Sequence, residues 1–205
     1  IAGKAWKNPL DLGADVVTMS TYKSLGGPPG GAIVTNDTEI AEKIDRIAFP
    51  GMTANFDAAK SAALAVTMLD WKEFGKEYVT EMVLMSKTLA SSLEEYGIPI
   101  FFGALGHTQS HQFGVLAEEY GGGQKASKLL RKCGFLACGI GLPVKELDGD
   151  MNGLRFGTPE LVRWGMKAKD SNRLARLISK ALKGQTVKKE VSEWRKTFNK
   201  LHFIH

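Results

Sequence analysis

The chain has 205 residues, enough for one large domain or two small ones around a real core. It is 43% hydrophobic and 24% charged, a balance that excludes disorder over most of its length. Lysine and arginine outnumber aspartate and glutamate by 27 to 22, and the net charge of +5 favours anionic ligands such as phosphates and carboxylates. No aromatic-interleaved basic patch accompanies that charge, so nucleic acid is not an expected partner.

No apolar run reaches the ~20 residues of a membrane span. No secretory leader is read at the start either, and a cytoplasmic chain is expected. The chain opens on Ile1 in mid-pattern, IAGKAW, as expected of a fragment or of the ordered part of a longer protein. Cys133 and Cys138 belong to no C-x-x-C or Cys/His cluster, so no metal site is expected and both thiols should be reduced and buried.

In chain order, ADVVTMS (14–20) is a short apolar run that reads as a buried strand, and GAIVT (31–35) reads as a second. Between them, TYKSLGGPPGG has too much glycine and proline for helix or strand, so the two strands should make a hairpin-like return. Asn36 and Asp37 can cap a helix carrying Ile40, Ala41, Ile44 and Ile47, which Phe49-Pro50-Gly51 stops. Residues 57–96 read as one very long helix or two in succession, with Tyr78, Met82, Met85, Leu89 and Leu93 on a stripe.

The second half alternates short strands and helices. PIFF (99–102), HQFGVLA (111–117), FLACGIG (135–141) and GLRFG (153–157) read as strands. Helices are expected over 125–133, from Thr158-Pro159-Glu160, over 168–183, and in a basic tail to about Phe198. Lys188, Lys189, Arg195, Lys196 and Lys200 read as the solvated face of that tail helix. Met52, Met68, Met82 and Met85 read as core or interface filler. Asp148 and Asp150 around Gly149 read as a turn. Such alternation argues for an α/β or α+β domain.

Ser20-Thr21-Tyr22-Lys23-Ser24 is the segment with chemical potential. A lysine that forms a Schiff base needs partial desolvation, which lowers its pKa and frees a nucleophilic amine. Neighbouring hydroxyls and backbone N–H groups can hold a phosphate. On these residues alone, an ordinary lysine in a glycine-rich turn is the better reading.

The longer pattern changes this. ADVVTMSTYKSLGGPPGG resembles the cofactor-lysine segment of the serine hydroxymethyltransferases, and Lys23 falls on the Schiff-base lysine. Far along the chain, Asn152-Gly-Leu-Arg-Phe-Gly-Thr-Pro-Glu160 with Arg163-Trp-Gly165 resembles the segment whose arginine binds the substrate carboxylate, which falls on Arg155. Phe49-Pro50-Gly51, SHQFGVLA and GIGLPV are weaker echoes, and the resemblance spans about residues 1 to 184. Ile1-Ala2-Gly3 fits as well; in the family an Asp-x-x-His that supports the pyridine ring comes just before this triplet.

The resemblance implies an α/β chain. Residues 1–75 would end a pyridoxal-phosphate large domain (fold type I, aspartate-aminotransferase-like) and start a long linking helix. An α+β small domain would follow over 76–184, with a basic helical tail at 185–205. It implies pyridoxal 5'-phosphate, an amino-acid substrate, amino-acid and one-carbon metabolism, and a homodimer with shared sites. Lys23, Ser20, Tyr22 and Asn55 would surround the cofactor. Lys23, Tyr22 and Ser20 would serve catalysis, and Arg155 and His111 the substrate. His107 and His111 in GHTQSH could serve a metal or proton transfer; a loop with one substrate-facing residue fits better.

The chain departs from the family pattern at several points. Tyr22 replaces a histidine, and a phenol does not titrate near neutral pH. Pro29 replaces an arginine. Ala54-Asn55-Phe56 replaces a Gly-Gly-Pro that reaches a neighbouring subunit's phosphate, where glycine eases close approach. Features that contact tetrahydrofolate are not clearly matched. Three readings stay open: the hydroxymethyltransferase itself, a threonine aldolase, transaldolase or α-methylserine-type enzyme, and an inactive relative kept as a binding module.

Overall fold

The computed structural model describes residues 1–205. The chain forms two compact units: Ile1–Val79 with Phe203–His205, and Thr80–His202.

In the first unit, β1 (Val17–Ser20) pairs antiparallel with β2 (Gly31–Val34), so that Ser20 lies opposite Gly31. The expected return is therefore a two-stranded ribbon. α1 (Thr38–Arg46) starts where Asp37 Oδ1 accepts the Ile40 N–H at 2.9 Å. Its apolar residues are not buried, and it gives way at Phe49, whose φ of −145° is extended. α2 (Ala58–Glu95) is one continuous helix of 38 residues, opened by Asp57 Oδ1 accepting from Lys60 N at 3.0 Å.

Gly3 packs onto α2 at Gly75. A Cβ on Gly3 would collide with the Gly75 carbonyl oxygen and come within 2.6 Å of Val79 Cγ1. The last residues of the chain belong to this unit too. Phe203 stacks on Tyr78 with ring centroids 5.2 Å apart. His205 bridges Asp70 at 2.8 Å and Glu73 at 2.7 Å.

The second unit holds a three-stranded antiparallel sheet. β3 (Gln112–Leu116), β4 (Cys138–Ile140) and β5 (Gly153–Gly157) lie in the order β3-β5-β4. Side chains alternate between faces. Phe113, Val115, Leu154 and Phe156 are buried on one face. Gln112, Gly114, Leu116, Cys138, Ile140, Gly153, Arg155 and Gly157 share the other, where three of the positions are glycine. α3 (Gly123–Lys132) packs on β4 and β5. α4 (Pro159–Arg163), α5 (Ser171–Leu182) and α6 (Lys188–Arg195) follow. Met85, Leu89 and Leu93 of α2 are fully buried here, with Leu130 and Leu177.

Several expectations need correction. PIFF is not a strand: Ile100 makes one isolated bridge to Val115, and Phe102 adopts a left-handed φ of 56° that no strand accommodates. Of FLACGIG only Cys138–Ile140 pairs. Cys133 is buried but Cys138 is exposed. Met52 and Met68 are exposed, unlike Met82 and Met85. The tail helix is solvated on one side only, since Val191 and Trp194 are buried. Arg195, exposed as expected, lies over the Trp164 ring at 4.3 Å. No helix is long and apolar enough to cross a membrane.

Candidate active site

In the first unit the candidate residues begin where β1 ends. Ser20 closes the ribbon and is half-buried. Thr21 is 2% exposed and anchors the whole 21–30 loop. Its N–H donates to Gly30 O at 3.0 Å and its hydroxyl to Pro28 O at 2.6 Å, while its carbonyl accepts from Gly27 N at 2.8 Å. Trp71 of α2 donates its indole N–H to Leu25 O at 2.8 Å, a second anchor.

Between these anchors the chain turns at Lys23. Its carbonyl accepts from Gly26 N at 2.8 Å, and Gly26 has a φ of 75°, which a glycine adopts without strain. Tyr22 and Lys23 are exposed on this turn. Thus β1 and a buried threonine hold the turn on which Lys23 stands, with the hydroxyl side chains of Ser20 and Tyr22 just before it in the chain and Ser24 just after. Asn55, in the same unit, is exposed in the segment that leads to the Asp57 cap of α2.

The second unit carries its own candidate residues, on one face of its sheet. Arg155 is in the central strand, opposite Gly114 on β3 and Cys138 on β4. Small neighbours on both sides leave its guanidinium exposed. His111, just before β3, is half-buried, and its carbonyl accepts from Thr158 N at 3.0 Å. Burial, and secondarily the charge of Arg155, hold its imidazole below the usual histidine range. The structure therefore brings His111 and Arg155 into one electrostatic neighbourhood, with His111 neutral at neutral pH. His107 lies elsewhere, its Nε2 2.9 Å from Glu94 Oε2. No three His, Cys, Asp or Glu side chains gather as a metal cluster would.

Two roles are not visible in the sequence, those of Asp150 and Asn152. Asp150 takes the backbone N–H groups of Gln124, Lys125 and Met151, capping α3 from a distant loop. These bonds, that of Gln124 foremost, hold its carboxyl below the usual range. Asn152 binds the segment 142–145 through its amide. Sequence offered only a turn signal around Gly149, because both partnerships are long-range or lie in an irregular loop.

A family model described as serine hydroxymethyltransferase matches residues 1–178. The chain belongs to the serine hydroxymethyltransferase family. Among curated family relatives, an alpha-methylserine aldolase of Ralstonia sp is 54% identical over 100% of this chain and 48% of its own length. The serine hydroxymethyltransferase of Sulfolobus acidocaldarius is 40% identical over 97% of this chain and 47% of its own. Among solved structures, L-threonine transaldolase from Pseudomonas fluorescens in its internal aldimine state superposes with a TM-score of 0.88 at 28% identity. That match covers 98% of this chain and 47% of the transaldolase chain. The chain spans about half the length of the relatives it matches. The α/β fold expected from the sequence is thus the fold of this family.

Proposed function

We propose that this chain carries part of the site of a pyridoxal-phosphate enzyme that breaks the Cα–Cβ bond of a β-hydroxy amino acid, in the manner of an α-methylserine aldolase. The observation that supports this most is the 54% identity to the Ralstonia aldolase across both the Lys23 and the Arg155 segments. The residues fit the cofactor by their chemistry: a lysine amine on an anchored turn, with hydroxyls on either side and glycine-rich backbone beyond. When bound, the cofactor's ring supplies an electron sink for the charge that develops at Cα.

The chain's own residues do the rest. Lys23 would hold the cofactor through its amine. Ser20 and Tyr22 hold the cofactor side of the site. Asn55 would reach the phosphate of the cofactor held by the neighbouring subunit of a homodimer. Arg155 takes the substrate carboxylate through two parallel N–H bonds, which a planar guanidinium alone offers. His111, neutral beside Arg155, accepts a hydrogen bond without adding charge. In this reading residues 1–75 end the cofactor domain, 76–184 form the small domain, and 185–205 are its tail.

The reaction balances without a co-substrate. The β-hydroxyl loses its proton, the Cα–Cβ bond breaks, and an aldehyde leaves while a proton returns to Cα. With α-methylserine the products would be formaldehyde and alanine. Tetrahydrofolate has no support among these residues and the reading does without it. Folate-dependent hydroxymethyl transfer is the second reading, favoured by the family model over residues 1–178. The test is aldehyde release by the full-length protein from α-methylserine and from serine, with and without tetrahydrofolate. Release from α-methylserine that ignores folate supports the first reading. Turnover of serine only with folate replaces it by the second.

A further inference from the structure

Asn152 is 8% exposed, yet its amide is fully used. Oδ1 accepts from Leu142 N at 2.7 Å. Nδ2 reaches Leu142 O at 3.0 Å, Val144 O at 3.3 Å and Lys145 O at 3.2 Å, so its two protons serve three carbonyls. The segment it grips has left the sheet after Ile140, and Gly141, Pro143, Val144, Lys145 and Glu146 are all exposed. Only Leu142 turns inward, and is half-buried.

Leu142 lies on glycines. A Cβ on Gly153 would lie 2.5 Å from Leu142 Cδ1, and one on Gly114 would lie 3.0 Å from Leu142 Cδ2. A side chain at either glycine would push Leu142 out of this position. Gly114 is the cross-strand partner of Arg155, and Gly153 precedes Arg155 by two on the same strand. All three therefore share one face. The isobutyl group is an apolar wall on the face that carries the guanidinium.

We propose that Asn152 is a positioning residue that acts through Leu142, holding it as a dry wall beside Arg155. The inference rests on the reading that Arg155 binds the substrate carboxylate. An ion pair with one flank shielded from water is stronger than the same pair fully solvated. The wall thereby raises affinity for the amino acid while leaving the cofactor end of the site alone.

The test uses full-length protein loaded with pyridoxal phosphate and compares Asn152→Ala, Leu142→Ala and the double variant. Amino-acid affinity is read from the substrate-dependent spectral change, and loop order from amide hydrogen exchange over residues 141–146. Asn152→Ala should speed exchange there and weaken amino-acid binding about tenfold. Leu142→Ala should weaken binding similarly, and the double variant no further, because both act on one wall. Faster exchange with unchanged affinity in Asn152→Ala, or additive losses in the double variant, overturns the proposal. Unchanged affinity in an Arg155→Ala control is a different failure: it removes the carboxylate reading itself.

Discussion

Thr158 and Met82 are joined by a buried hydrogen bond, with the Thr158 hydroxyl 2.8 Å from the Met82 carbonyl. The same hydroxyl lies 3.1 Å from His111 O, and Thr158 is 0% exposed. One side chain thus ties the end of β5 to α2 and to the residue before β3. Thr158→Val keeps the shape and removes the bond. It should cost about 1–2 kcal/mol in urea unfolding, because buried carbonyls lose a partner. A loss below ~0.5 kcal/mol, the range of an inert surface change, would contradict this assignment.

That tie was only half legible in the sequence. The run from Asn152 to Glu160 was conspicuous as a motif, and GLRFG alternates so plainly that β5 follows from it. The partner of Thr158 lies in α2, and no local pattern announces it. Similarly, Lys23 and Arg155 stand out through their segments, whereas the hydrogen-bonding roles of Asn152 and Asp150 do not. Their bonds run to backbone groups of irregular loops, which leave no periodic trace. PIFF misled because its apolar content suits a strand while Phe102 takes a left-handed conformation. Cys138 was expected inside because it is flanked by apolar residues, but β4 turns it to the open face with Arg155.

Gly3 meets Gly75 so closely that no side chain fits between them. Gly3→Ala should destabilise the first unit by about 1–3 kcal/mol, the usual cost of overpacking. Ala2→Gly is a control that changes backbone freedom without adding bulk. Thermal unfolding of the two variants reads the difference, and equal melting temperatures would contradict the close packing.

Two histidines should give stability opposite pH dependences. Hydrogen bonds to Asp70, then Glu73, raise the pKa of His205 above 6.5. Its contribution is therefore complete below pH 6.5 and is lost as pH rises through the raised value. Burial, then Arg155, lowers the pKa of His111 below 6.5. The unfolded chain takes up that proton first, so stability falls as pH drops below 6.5 towards the lowered value. Melting curves across this range should show His205→Gln losing stability mainly on the acid side. His111→Gln should be less sensitive to acid than the parent. Parallel curves for all three proteins would contradict both assignments.

Arg155 has glycine on one side and a small thiol residue on the other, and its guanidinium is open to an incoming anion. Arg155→Ala should weaken amino-acid binding on the order of 100-fold, as loss of one member of a hydrogen-bonded charge pair does. Cofactor binding should change little. Arg155→Lys should recover only part, since a point charge does not reproduce the two-pronged contact. Equal losses of cofactor and amino-acid affinity in Arg155→Ala would count against the assigned role.

The proposed chemistry depends on Lys23. On its anchored turn, flanked by Tyr22 and Ser24, it has the chemistry to hold pyridoxal phosphate covalently. The most direct measurement is an absorbance scan of the full-length protein with the cofactor, before and after borohydride reduction. The account predicts a visible-region imine band that borohydride abolishes, fixing the cofactor on Lys23 in a peptide digest. Lys23→Ala should show no such band. No band in the unmodified protein, or a cofactor fixed on another lysine, would contradict it.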